Sequence, residues 1–248
     1  MAQATETLRV PPAAARQNMR PADTALAALT VIAGALVLAA IVMALRVAPD
    51  AAGLTPDETA AQRIIYLHVP SAWLSLLAYG VTMIASILYL RSSQRKWDEV
   101  ALSSAEIGLT FTVATLASGS IWARPAWNTW WTWDPRLTTY TIVFLLYVSY
   151  FMLRGAMEDP ARRARFAAVY GIFAFLSVPI TFFSIRWWRT IHPVLFDAKN
   201  FGLSSGMAPV FFFGLAAFTV FYVVLLWHRI RLEQAIDEVE ALKEMGGY

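Results

Sequence analysis

Six long apolar runs, separated by short polar connections, dominate the pattern of the chain. A helix needs about 20 apolar residues to cross the hydrocarbon core of a bilayer, and most of the runs come close to that length. They cover residues 24–45, 71–90, 101–121, 139–153, 166–185 and 209–227. Because the fourth run is short, we expect its helix to begin earlier, inside the polar stretch before it. The pattern predicts an all-α polytopic membrane protein with six transmembrane helices within residues 24–228.

Polar segments flank the six runs at both ends of the chain. Residues 1–23 contain three arginines and paired prolines and are predicted to form a disordered arm. Residues 229–248 are highly charged but place Leu232, Ile236 and Val239 at helical spacing. This spacing predicts an amphipathic tail helix, which either extends the sixth span or docks a partner.

The connection after the first run contains a helix signal of its own. Thr55, Pro56 and Glu58 supply an N-cap, a proline at the first helical position and the glutamate of a capping box. We expect a short interfacial helix that begins there and continues along the membrane surface to His68. The second span is then expected to start at Pro70.

The distribution of Lys and Arg predicts the orientation of the six spans. Thirteen of the 20 basic residues lie in the two terminal segments, in the second connection and in the fourth connection. Positively charged segments are retained in the cytoplasm, so both termini are predicted to be cytoplasmic. In a bacterium this places the first, third and fifth connections on the periplasmic side of the inner membrane.

The composition narrows the function. Hydrophobic residues make up 58% of the chain and charged residues 15%, which is typical of a protein solvated by the lipid bilayer. The net charge of +3 is spread between the spans and forms no stripe, so no nucleic acid partner is expected. The absence of cysteine excludes thiol chemistry. No phosphate loop, H-E-x-x-H or G-x-S-x-G motif is present, so we do not expect an enzyme.

The third connection, residues 122–139, holds half of the ten tryptophans in the chain. They are Trp122, Trp127, Trp130, Trp131 and Trp133. The intervening polar and turn-forming residues predict a tryptophan-rich outer loop rather than a span. An aromatic belt at the membrane interface explains isolated tryptophans, whereas five indoles in one loop favour a platform for a flat, apolar ligand.

Two of the three histidines lie in the outer connections on either side of this stretch. His68 and His192 therefore come from separate segments that are both predicted to face the tryptophans. Imidazole is a standard axial ligand of haem iron, so this pair is a candidate haem clamp. The alternative is that each histidine is an ordinary polar residue at the interface, which is our interpretation of His228.

Three further polar residues of the tryptophan stretch are candidates for ligand contacts. Asp134 precedes Pro135 and is predicted to cap the fourth span. Arg136, in the first turn of that helix, opposes the helix dipole, and a bound carboxylate such as a haem propionate would offset this cost. Arg124 is suited to the same task. The alternative for both arginines is that they anchor their helices at the interface.

Glu106 is the main ionisable residue inside a predicted span. An intramembrane carboxylate is consistent with a proton or ion path, and the chain would then be a transporter permease subunit that uses its tryptophans only as an anchor. The alternative is a hydrogen bond from Ser103, Ser104 or a neighbouring helix to the Glu106 carboxylate.

The stretch W-A-R-P-A-W-N-T-W-W-T-W-D-P-R-L-T resembles the "WWD" signature of haem-handling membrane proteins, in particular the haem exporter C family of System I cytochrome c maturation. The resemblance implies a non-enzymatic carrier that binds haem b between this stretch and two axial histidines, whose positions match His68 and His192. Many members have glycine where this chain has Ala123 and Asn128. System II synthases and haem lyase components share the signature but usually place additional histidines within their spans.

The resemblance also implies a set of partners. Members of the family deliver haem at the periplasmic face to a haem chaperone, maturation protein E. They work with the ABC transporter that maturation proteins A and B form, and with a small membrane protein of System I, maturation protein D. These partners are expectations for this chain.

Overall fold

A computed structural model describes residues 21–50, 55–195 and 202–246 of the chain. Most of the predicted amino-terminal arm therefore lies outside the described residues. The described part contains eight helices. They are α1 (Pro21–Arg46), α2 (Pro56–Gln62), α3 (Ile65–Ser92), α4 (Arg95–Trp127), α5 (Pro135–Gly155), α6 (Pro160–Phe175), α7 (Ser177–Trp187) and α8 (Met207–Gly246).

The helices form six runs that are long and apolar enough to cross a membrane, as predicted. Four of them are the single helices α1, α4, α5 and α8. The other two are pairs, since α2 with α3 and α6 with α7 each make one nearly continuous run. The prediction of an all-α, multi-pass membrane protein is confirmed.

The fifth run is broken at Leu176, between α6 and α7. Pro179 is the cause, because it has no N–H to donate to the carbonyl of Phe175 and its ring crowds that carbonyl. The run also begins earlier than the apolar pattern predicted. Asp159 caps α6 by accepting a hydrogen bond from the backbone N–H of Arg162, at 2.6 Å.

The predicted capping box is present, but the helix that it starts is shorter than expected. Thr55 and Glu58 cap each other's backbone at the start of α2. This helix ends at Gln62, and the prediction that it continues along the membrane surface to His68 is wrong. His68 lies instead in the first turns of α3, where its N–H donates to the carbonyl of Ile64 at 2.8 Å. Pro70 removes one hydrogen bond near the start of α3 without ending the helix.

Helices α3 and α4 form the centre of the bundle, with α5, α6 and α8 packed around them and α1 against α8. Gly108 permits the close approach of α3, because a Cβ atom there would lie 2.6 Å from the Tyr79 ring. The Tyr79 hydroxyl is hydrogen-bonded to Thr112 at 2.7 Å. The two central helices are thus held in register by both packing and a buried hydroxyl pair.

Helix α8 continues without interruption to Gly246, so the tail segment extends the sixth span. Ion pairs attach it to α4. Arg229 is paired with Glu106 and also with Glu233 at 2.6 Å, and Arg95 is paired with Asp237 at 2.8 Å. We call this end of the bundle the tail end, and the end that carries Trp122–Trp133 the tryptophan end.

A buried ion pair joins α4 and α5 close to the tail end. Two nitrogens of the Arg154 guanidinium contact the two carboxylate oxygens of Asp98, at 2.6 and 3.0 Å. The two side chains are only 7% and 3% exposed. This fork-on-fork geometry satisfies both groups in a place where a single unpaired charge would be costly.

Candidate functional site

The sequence predicted that residues 122–139 form one loop, but in the structure most of this stretch is helical. Helix α4 continues through Trp122 to Trp127, α5 begins at Pro135, and only residues 128–134 lie between the two helices. The turn is made at Asn128, whose φ of 53° asparagine tolerates better than most residues. The early start of α5 confirms that the fourth span begins inside the predicted stretch.

The indoles therefore occupy two different settings. Trp122 and Trp127, on the last turns of α4, make an edge-to-face contact with ring centres 5.1 Å apart. Trp131 and Trp133, in the connection, make a similar contact at 5.9 Å. Trp130 and Trp133 are 59% and 74% exposed. Large apolar rings are thus exposed in the short connection, whereas the two indoles on the helix are partly buried.

Asp134 connects the tryptophan stretch to the segment that carries His192. Its carboxylate accepts a hydrogen bond from the N–H of Arg136, at 2.9 Å, and thereby caps α5 as predicted. It also accepts from the Thr190 hydroxyl at 2.7 Å and from the N–H of Ile191 at 2.9 Å. The side chain is only 8% exposed. A residue that the sequence identified as a cap also fixes the position of the second histidine segment.

Replacing Asp134 with alanine is expected to destabilise the protein by more than the loss of a cap alone. A cap is worth about 1 kcal/mol, and each lost hydrogen bond to the charged carboxylate adds about 1.5–3 kcal/mol. Asp159→Ala is the matched control, since Asp159 caps α6 without contacting a second segment in the hydrogen bonds described. Thermal unfolding should separate the two variants, and limited proteolysis within residues 188–195 should accelerate only in Asp134→Ala. Equal effects of the two substitutions would contradict this role for Asp134.

The imidazole of His68 lies against α4. Its Nδ1 atom is 3.0 Å from the hydroxyl oxygen of Ser118, and a Cβ atom at Gly119 would come within 3.0 Å of its Cε1 atom. Neither of these α4 residues was predicted from the sequence. They carry no local signal, because only the packing of α3 on α4 brings them to the histidine.

His192 lies in the connection after α7 and is partly buried. Its backbone N–H donates to the Thr190 hydroxyl, and its ring atom Nδ1 lies 3.0 Å from the carbonyl oxygen of Pro193. Burial, and then the positive charge of Arg136, lower the pKa of His192 to about 4. The imidazole is therefore neutral at neutral pH, which is the form that binds a metal ion.

His68, His192 and Arg136 converge at the tryptophan end. The two histidines lie close enough to interact electrostatically, and the charge of Arg136 acts on both of them. Arg136 extends from the first turn of α5 and donates a hydrogen bond to the carbonyl of Thr181. The structure thus brings together three of the residues that the sequence singled out, from α3, α5 and the connection after α7.

The other two polar candidates have different positions. Arg124 donates from Nη1 to the carbonyl and side-chain oxygens of Asn128, at 2.8 and 3.0 Å, and so caps the carboxyl end of α4. His228 belongs to the tail end, where it is hydrogen-bonded to Thr30 of α1 at 2.8 Å. His228 is therefore remote from the site, as the sequence predicted.

The donor set suits a porphyrin better than a bare ion. Within residues 21–50, 55–195 and 202–246, no three His, Asp or Glu side chains form a group that could hold a metal ion. A haem brings four nitrogen ligands of its own and needs only one or two axial ligands from the protein. Two imidazoles and an arginine, at the end of the bundle that carries the exposed indoles, meet that need.

The chain is similar to known proteins over half of its length or more. The sequence model of the family described as Heme exporter protein C matches residues 10–245. Heme exporter protein C of Bradyrhizobium diazoefficiens is 37% identical over 213 residues, which cover 84% of this chain and 81% of that protein. Heme exporter protein C of Escherichia coli K12 is 36% identical over 130 residues, covering 52% and 53%. A putative cytochrome c biosynthesis ccmC-like mitochondrial protein of Marchantia polymorpha is 37% identical over 152 residues, covering 60% and 64%.

Proposed function

The chain belongs to the Heme exporter protein C family, a carrier-type component of haem delivery in cytochrome c maturation, and from this we propose that it holds haem at the tryptophan end and hands it to a partner. Haem is the cargo of the protein. The observation that carries the proposal is that His68, His192 and Arg136 lie within electrostatic range of one another at the end of the bundle that carries the exposed indoles.

In this proposal His68 and His192 are the two axial ligands of the iron. Each histidine has its Nδ1 atom within hydrogen-bonding distance of a protein oxygen, at 3.0 Å in both cases. Metal-bound histidines ordinarily use their second nitrogen in this way. The remaining nitrogen, Nε2, is then the one available to the iron on each side of the ring.

In this proposal the indoles and the arginines bind the parts of the haem other than the iron. The faces of Trp130 and Trp133 are exposed and suit stacking on the macrocycle, with Trp122, Trp127 and Trp131 completing the platform. Arg136 supplies a positive charge next to both histidines for a haem propionate, and Arg124 extends this role at the end of α4. Asp134 contributes by holding the His192 segment in place.

We propose that the tryptophan end faces the periplasm from the bacterial inner membrane, and that the cargo is haem b. The excess of basic residues in the segments of the tail end supports this orientation. Delivery is to the periplasmic haem chaperone, maturation protein E. Membership of this family favours three further partners, which are maturation proteins A and B of the ABC transporter and the small membrane protein, maturation protein D.

The test is to purify the full chain in detergent after coexpression with the chaperone and to measure its absorption spectrum. A Soret band and the low-spin bands of bis-imidazole ligation are expected, together with a covalent haem adduct on the chaperone. A correctly folded wild-type protein that carries no haem under these conditions would contradict the proposal.

Glu106→Gln separates this function from that of a permease subunit. Glu106 is paired with Arg229, with one contact of 2.9 Å, so its charge is already compensated. We expect the variant to retain wild-type haem content and adduct formation, with at most a small fall in thermal midpoint, similar to that of Glu233→Gln, which removes the other partner of Arg229. Loss of transfer in Glu106→Gln alone would favour a path through the bundle.

A further inference from the structure

The imidazole of His68 is held by two consecutive residues of α4. Ser118 is 6% exposed and faces Nδ1 of the ring at 3.0 Å. Gly119 has no side chain at the place where a Cβ atom would press on Cε1. One residue therefore offers a hydrogen bond and the next offers space, which together restrict the ring to a small range of orientations.

The direction of the hydrogen bond between His68 and Ser118 follows from the other contacts of the hydroxyl. The Ser118 oxygen lies 2.7 Å from the carbonyl of Ala114 and 3.2 Å from that of Thr115. Carbonyls only accept, and the shorter contact, to Ala114, favours donation of the single hydroxyl proton there. A lone pair of the hydroxyl then faces the histidine and accepts from Nδ1 of His68.

With Nδ1 as the donor to Ser118, the His68 ring carries its proton on Nδ1, and its Nε2 atom keeps a free lone pair.

We propose that Ser118 is a positioning residue that selects the Nδ1–H form of His68 and directs its Nε2 atom toward the haem iron. The proposal rests on the function proposed above, in which His68 is an axial ligand. Trp122 lies four residues after Ser118 and hence on the same face of α4. The residue that orients the ligand and the first indole of the platform are thus carried by one helix face.

This arrangement differs from that of His192. The acceptor for His192 is the carbonyl of Pro193, the next residue in the chain, so it moves with the ligand. The acceptor for His68 is on a different helix. Ser118 therefore ties the ligand on α3 to the helix that carries Trp122.

The test uses full-length protein in detergent, titrated with haemin. Ser118→Ala keeps His68 but removes its acceptor, and we expect the dissociation constant for haemin to rise about 10- to 100-fold. The residual complex should show a larger high-spin fraction and a more positive midpoint potential, because an imidazole that donates a hydrogen bond is a more basic ligand. Ser118→Thr retains the hydroxyl and should restore low-spin haem.

Ser149→Ala is the matched control. Ser149 makes the same backbone contact within a helix, to the carbonyl of Leu145 at 2.9 Å, but it has no histidine partner among its described contacts. It should bind haemin like the wild type. In a His68→Ala background, adding Ser118→Ala should cause no further loss, since the residue acts through the histidine.

Two results would overturn the role of Ser118. One is a Ser118→Ala protein with wild-type affinity, spin state and potential, and the other is a Ser118→Thr protein as impaired as Ser118→Ala. The proposed function fails separately, because it is refuted if the wild type and Ser149→Ala do not bind haemin at all.

Discussion

Alanine in place of either His68 or His192 is expected to lower the haem content of the purified protein by at least about 10-fold. Loss of a group that merely supports a metal-bound histidine already costs about 10–100-fold in metal affinity, and these substitutions remove the ligand itself. The two histidines come from α3 and from the connection after α7, yet they lie within electrostatic reach of each other. Each variant should therefore lose the low-spin bis-imidazole spectrum.

The measurement is the haem content per protein after coexpression with the chaperone, combined with the amount of covalent adduct on the chaperone. His228→Ala is the control, because His228 pairs with Thr30 at the tail end and should leave both quantities unchanged. Thermal midpoints should show that His68→Ala and His192→Ala remain folded. Retention of wild-type haem and spectrum in either variant would exclude that histidine as a ligand.

Arg154→Ala is expected to cause a large loss of stability, about 3–5 kcal/mol. The carboxylate of Asp98 is only 3% exposed, and the substitution removes its bidentate partner, so that only the longer contact from Arg95, at 3.4 Å, remains. The variant should show a strongly lowered thermal midpoint in detergent. By contrast, Arg231→Ala breaks an ion pair with Asp23 whose members are 43% and 28% exposed, and such pairs contribute about 0–1 kcal/mol.

A double variant distinguishes charge burial from packing. Arg154→Met combined with Asp98→Leu removes both charges and keeps much of the volume, so it should recover most of the stability lost in Arg154→Ala. If the double variant is as unstable as the single one, the pair matters for its shape and packing, and the electrostatic explanation is wrong.

Much of the fold could be predicted because its signals are local. The six spans follow from apolar length, and the capping box at Thr55 and the cap at Asp134 follow from residues within one turn of the helix that they start. Predictions of helix ends were wrong where a helix accommodated a proline. Pro70 and Pro125 both lie inside helices, so α3 includes His68 and α4 continues to Trp127.

The break at Leu176 shows the opposite error. The apolar run through residues 166–185 gave no reason to divide the span. Hydropathy reflects the free energy of transferring side chains to lipid and contains no information on backbone hydrogen bonds. Pro179 was visible in the sequence. Its consequence depends on whether the helix bends or breaks, and that is decided by neighbouring helices.

For the candidate site, the sequence by itself determined which residue types were available and which end of the bundle they belong to. Spacing and topology grouped His68 and His192 with the tryptophans and separated them from His228. These inferences need only the order of the chain and the length of a span.

Only the tertiary structure decided how these residues meet. Ser118 is 50 residues from His68, and Thr190 is 56 residues from Asp134, so neither pair leaves a trace in any local pattern. Each depends on the packing of one helix or connection against another, which sets the positions of side chains to within a hydrogen bond. The sequence therefore supplied the candidate ligands, and the packing of α3 on α4 and the Asp134 hydrogen bonds determined their geometry.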